Sequence, residues 1–167
     1  LVVLDGEAKE ADYYGGKTSI AYVKKSSKPY ESVMIGVVST NPSGEVLGEA
    51  AYSLLTNPKP IALLGRTPLK VSIENGSIQV GDPLESSSIP GVAMKATKAG
   101  PVVGKALESY NGGETGKIMA FVNVSYYLPE EIFQTEIAGN EQGSSFNPIE
   151  LLVSDFAKFF KEGLAKL

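Results

Sequence analysis

Ser86-Ser87-Ser88 is followed seven residues later by Lys95 and three further on by Lys98. A serine hydroxyl beside a neutral lysine is a nucleophile that needs no histidine. The lysine must be buried to act as base, and alternation through Met94-Lys95-Ala96-Thr97-Lys98 exposes at least one of the pair. Ser86-Ser87-Ser88-Ile89-Pro90-Gly91 also reads as a polar turn, which competes with the dyad. Asp82, in Gly81-Asp82-Pro83-Leu84, is a candidate acid or base. Its competing role is local, a side-chain-to-backbone bond closing a tight turn. Asp5, Glu7, Glu10 and Asp12 form an acidic segment whose oxygens are candidates for calcium, although their spacing lacks an ordered calcium-loop pattern. The competing reading is a solvated loop, where acidic residues are common.

The 167 residues contain no histidine and no cysteine. That excludes a Ser-His-Asp triad, a cysteine nucleophile, a cysteine-built zinc site and a disulfide. Gly100-Pro101-Val102-Val103-Gly104 has no helix after it, so it offers no phosphate cradle. The sequence therefore predicts no metal and no organic cofactor. Eight tyrosines, among them Tyr13-Tyr14 and Tyr126-Tyr127, would suit a carbohydrate or peptide groove or an amphipathic barrel rim. The chain is 43% hydrophobic and 20% charged with a net charge of −4, so it buries a core and carries no broad basic face for nucleic acid. No stretch approaches the roughly 20 apolar residues of a membrane span.

The elements that position these groups are strands. Short β-branched runs punctuated by Gly, Pro, Asn and Ser fill residues 1 to 127, with strands expected near 1–5, 18–25, 32–39, 60–64, 67–73, 83–87, 92–97, 101–108 and 117–126. Asn41-Pro42-Ser43-Gly44 and Asn57-Pro58 mark turns. Asn75-Gly76, between Lys70-Val71-Ser72-Ile73 and Ile78-Gln79-Val80, predicts a hairpin, and Asn111-Gly112-Gly113 another between the last two strands. Val33-Met34-Ile35-Gly36-Val37-Val38 and Ile118-Met119-Ala120-Phe121-Val122 are apolar throughout, which predicts strands covered on both faces. The expected fold is mainly β, a small Gly/Pro-rich barrel-like domain with an internal pseudo-repeat. In that repeat Val23-Lys24-Lys25-Ser26 and Ile35-Gly36-Val37-Val38 echo Met94-Lys95-Ala96-Thr97 and Val103-Gly104-Lys105-Ala106, and Leu1-Val2-Val3 answers the strand after Gly81-Asp82.

Residues 128–146 are polar and Gly/Ser-rich and read as a linker. Asn147-Pro148-Ile149-Glu150 then opens an amphipathic helix over 147–167, with Asn147 as cap and Pro148 at the first turn. Ile149, Leu152, Val153, Phe156, Phe159, Phe160 and Leu164 fall on one stripe near coiled-coil spacing. That stripe predicts self-association, most simply as a homotrimer; docking back on the β-domain is the competing use. The opening Leu1-Val2-Val3-Leu4 reads as a strand already under way with no signal peptide, as in a fragment of a longer parent chain.

Ile35-Gly36-Val37-Val38-Ser39-Thr40-Asn41-Pro42, Pro60-Ile61-Ala62-Leu63-Leu64-Gly65-Arg66-Thr67-Pro68-Leu69-Lys70-Val71 and Glu74-Asn75-Gly76-Ser77-Ile78-Gln79-Val80-Gly81-Asp82 carry a resemblance, continued by Ser86 to Ala96 and Gly104-Lys105-Ala106-Leu107-Glu108. Together they resemble a β-domain near the C-terminus of very large, repetitive bacterial surface proteins. They are similar, more distantly, to peptidase G2-type C-terminal domains of phage neck-appendage and tail-fibre proteins, which are intramolecular chaperones that promote trimer assembly and are released by self-cleavage. The resemblance implies a non-enzymatic structural or assembly module of a long extracellular, cell-surface or virion fibre. A self-cleaving chaperone domain is the alternative it implies, and a carbohydrate-binding β-module stands third.

Overall fold

The computed structural model describes residues 1–13, 16–42, 55 and 57–129. The chain divides into two units, Leu1–Leu128 and Pro129–Leu167. The amphipathic stretch 147–167 lies outside the described residues, as does all of 128–146 except Leu128 and Pro129.

The described part is all β. Its strands are β1 (Val2–Leu4), β2 (Lys9–Tyr13), β3 (Gly16–Ile20), β4 (Val23–Lys25), β5 (Met34–Val38), β6 (Ile61–Ala62), β7 (Leu64–Ser72), β8 (Pro83–Ser86), β9 (Ala93–Lys95), β10 (Gly100–Ala106) and β11 (Thr115–Tyr127). Five of them close a barrel in the order β10-β11-β7-β9-β8; β4-β1-β5-β6 form an open sheet and β2-β3 a separate hairpin. Closure leaves the barrel no free edge. Along β11, Ile118, Ala120 and Val122 are buried inward while Phe121 is 39% exposed. Only one face of this strand is covered, so the apolar run 118–122 overstated its burial. β5 fits the expectation better: Met34, Gly36 and Val37 are buried, and Ile35 and Val38 are half-buried. Val3 and Met34 of the open sheet share one apolar core with Leu69, Val71, Leu84 and Val103 of the barrel.

Three local expectations are corrected. Residues 9–13, read as part of an acidic loop, form β2, paired with β3 from Lys9↔Ile20 to Tyr13↔Gly16. The run 18–25 is two strands, β3 and β4, broken at residues 21 and 22. Ile78 does not fold back on β7; it bridges Tyr110 instead. The Asn75-Gly76 turn does form, with the Gly76 N–H donating to the Ile73 carbonyl at 2.9 Å. Its Asn75 amide is drawn inward to the Lys95 carbonyl at 3.0 Å, so the chain leaves the turn away from β7.

The pseudo-repeat is visible in the ladders. β1 lies between β4 and β5, and β8 lies between β9 and β10. Val2 faces Lys25 and Gly36, as Leu84 faces Lys95 and Gly104. Bonds outside the ladders repeat as well. Ser26 N–H donates to the Leu1 carbonyl as Ala96 N–H does to Pro83, and Asp5 N–H donates to Tyr22 as Ser87 N–H does to Val92. These pairs place Lys25, not Lys24, opposite Lys95 in the repeat, one residue from the match expected from sequence. Gly36 and Gly104 recur at one structural position for one reason. A Cβ on Gly36 would lie 2.4 Å from the Ala62 carbonyl oxygen, and one on Gly104 would lie 1.9 Å from that of Phe121.

Candidate functional site

The end of the β8–β9 pair gathers most of the polar side chains named above. β8 runs Pro83–Ser86 and pairs with β9 through Leu84↔Lys95, Glu85↔Met94 and Ser86↔Ala93. Two loops close over it: residues 26–31, between β4 and β5, and the turn carrying Glu74 and Asn75 after β7.

Each serine of the cluster has a structural partner. Ser86 is buried; its Oγ accepts the Glu31 N–H at 2.9 Å, and its carbonyl accepts the Tyr30 N–H at 3.3 Å. Ser87, also buried, accepts the Ile89 N–H at 3.1 Å and donates to the Ile89 carbonyl at 3.3 Å. Ser88 is exposed, and its hydroxyl and N–H both donate to the Glu74 carboxylate, at 3.0 and 3.1 Å. Lys95 is turned to Asp82, Nζ to Oδ2 at 2.9 Å. The same Asp82 oxygen accepts the Gln79 N–H at 2.8 Å, the turn bond expected of it. Among the described residues no hydrogen bond links a hydroxyl of this cluster to Lys95 or Lys98.

The Asp82–Lys95 pair is mostly shielded, with side-chain exposures of 18% and 31%. Asp82→Ala strips both the lysine and a backbone donor of their acceptor. Expected is a loss of roughly 1–3 kcal/mol, read from the urea midpoint.

The acidic segment is dispersed. Asp5 pairs with Lys24 at 2.9 Å, which raises the lysine's affinity for its proton, and Glu10 and Asp12 both face Lys17, at 3.6 and 3.8 Å. Glu7 is exposed. Lys24 and Lys17 thus face three of the four carboxylates, and no group of three acidic residues converges among the described residues.

The residue that sequence reasoning missed is Glu85. It is fully buried; Oε1 accepts the Asn75 Nδ2 hydrogen at 3.2 Å, and Oε2 has no partner among the described residues. Burial pushes its pKa up to about 7. The polar Tyr30 hydroxyl nearby, the charge of Lys98 and the Asn75 amide pull the other way, while the Glu74 charge adds to the rise. Tyr30 itself sits at φ 56°, a left-handed conformation that costs a non-glycine residue roughly 1–2 kcal/mol. Its hydroxyl lies 3.3 Å from Thr97 Oγ1. The available signal was a glutamate at the centre of an expected short strand, where both neighbours are buried.

What this cluster can do is hold loops on a barrel rim and exchange one proton near neutrality. No protein-family model, curated protein or solved structure matches the chain.

Proposed function

We propose that this chain is a non-enzymatic structural and assembly module of a long extracellular or virion fibre-like protein, associating with copies of itself as a homotrimer. One observation supports this reading above the others. Val124, Tyr126 and Leu128 are 39%, 65% and 48% exposed, alternate residues that share one face at the end of β11, while Leu64, paired with Asn123 on the other face, is 70% exposed. Removing each such side chain from water is worth roughly 1.5–3 kcal/mol, and large apolar patches on soluble chains mark contact surfaces. The amphipathic stripe from Ile149 to Leu164 adds a second apolar surface in the sequence. The engagement of Ser86, Ser87, Ser88, Lys95 and Asp82 in loop-building bonds favours a scaffold over a nucleophile.

Sedimentation of the full chain beside a Phe156→Asp, Phe160→Asp variant tests the reading. The expected result is a trimer at tens of micromolar that the two charges reduce to monomer. A wild-type monomer, or an oligomer indifferent to the charges, would overturn it. Mass spectrometry of the freshly expressed parent protein is expected to give one intact species; defined fragments would favour the self-cleaving reading instead.

A further inference from the structure

The two copies of the pseudo-repeat are not equally complete. In the second, β9-β8-β10-β11 becomes a closed barrel because β7 fills the gap, antiparallel to β11 and parallel to β9 at Val71↔Ala93. In the first, β4-β1-β5-β6 follows the same order, and among the described residues no strand joins β6 back to β4. We propose that this open sheet is a barrel lacking its fifth strand, and that the polypeptide preceding residue 1 in a longer parent chain supplies it. The incoming segment lies extended, antiparallel to β6 and parallel to β4. This goes beyond the trimer reading and does not depend on it.

Side-chain burial carries the argument. Ala93, Val103, Ala106 and Val122 line the closed barrel and are 0%, 0%, 1% and 0% exposed. Their counterparts in the first copy are Val23, Ile35, Val38 and Leu63. The first three are only half-buried, and Leu63 is 58% exposed. These positions are as apolar as their twins, and among the described residues no strand covers them.

The backbone agrees. The bonds from Asp5 to Tyr22 and from Ser26 to Leu1 turn residues 22 and 26 toward β1, and the ladder pairs Lys24 with Val3. Alternation then points the N–H and C=O of Val23 and Lys25 at the open edge. Ala93, the twin of Val23, is the residue that meets β7. An unpaired edge of this kind accepts an extended segment through main-chain hydrogen bonds.

Topology selects the source. β7 enters β8 through residues 73–82, and β8 is the twin of β1, so the missing strand belongs ahead of residue 1. Its chemistry follows from its surroundings. Apolar residues at alternate positions, as Leu69 and Val71 stand in β7, would cover Val23 and Val38. Lys25 on β4 and Lys59 before β6 add positive charge near the edges, Lys24 being paired with Asp5, so the outward positions suit carboxylates.

The test supplies a strand of known fit. Leu1 aligns with Pro83, so a copy of residues 64–82 joined to Leu1 reproduces the β7-to-β8 connection. It is compared with the same residues in scrambled order, both in the full chain carrying Phe156→Asp and Phe160→Asp, which keeps the result separate from trimer formation. Amide hydrogen exchange is read at Val23 and Lys25, with β11 amides as reference. Expected is exchange at least tenfold slower in the ordered fusion alone. Equal exchange in the two fusions would overturn the proposal. So would protection of Val23 and Lys25 in the unextended chain, whether it grows with concentration (a second copy fills the edge) or does not (another segment of the same chain fills it).

Discussion

Gly104→Ala is expected to prevent the barrel from closing. Gly104 sits at φ 152°, where β10 slips its register against β11 between Val102 and Gly104. A Cβ there would lie 1.9 Å from the Phe121 carbonyl oxygen, 2.9 Å from its carbon and 3.0 Å from the Val122 Cα. All three are backbone atoms of the adjoining strand, so no rotamer change relieves the overlap. β10 would have to leave β11, and with it the ladder that joins Gly104 to Leu84 of β8. The expected loss exceeds about 4 kcal/mol, a large share of the 5–15 kcal/mol that holds a domain together. Urea denaturation against Gly113→Ala checks it, since a Cβ on Gly113 meets nothing within 4 Å. A Gly104→Ala midpoint close to that of Gly113→Ala would show that the strands separate more readily than this geometry implies.

The second large effect is a pH dependence centred on Glu85. Its carboxyl is raised from 4.5 to about 7 in the folded chain, first by burial. Below pH 4.5 it is protonated whether the chain is folded or unfolded, and costs the fold nothing extra. Between pH 4.5 and 7 the unfolded chain releases the proton while the folded chain keeps it, so stability falls as pH rises. Above pH 7 both forms are ionised and the loss levels off at about 3 kcal/mol. Glu85→Gln keeps an oxygen for Asn75 and has no charge to bury. It is therefore expected to match the native chain at pH 4.5 and to exceed it by up to that amount at pH 8, compared through urea midpoints at the two pH values. A difference that is the same at both would mean that Glu85 ionises without penalty, with water already at its free oxygen.

The sequence alone made the β class, the Asn111-Gly112-Gly113 connection and the doubling of one β-unit legible. Turn residues and β-branched runs act through local backbone preferences, which neighbours in the chain express directly. The repeat could be read because Gly36 and Gly104 leave the same mark in the sequence wherever a neighbouring carbonyl leaves no room for a Cβ. The one-residue error in matching Lys95 to Lys24 arose because lysines stand at both 24 and 25, and only ladder bonds distinguish them. Which strands close the barrel was a tertiary decision. The Asn75-Gly76 turn predicted a hairpin, but the Asn75 side chain found Lys95 and Glu85, and Ile78 found Tyr110, partners far away in sequence. Charge placement was decided in the same way. Glu10 and Asp12 read as part of a loop in the sequence, whereas β2 pairs with β3 and sets Lys17 across from them. The place of Glu85 at the centre of an expected strand was a weak mark: a carboxylate in a strand is ordinary until distant segments such as the Tyr30 loop and the Asn75 turn cover it, and only then does desolvation change its chemistry.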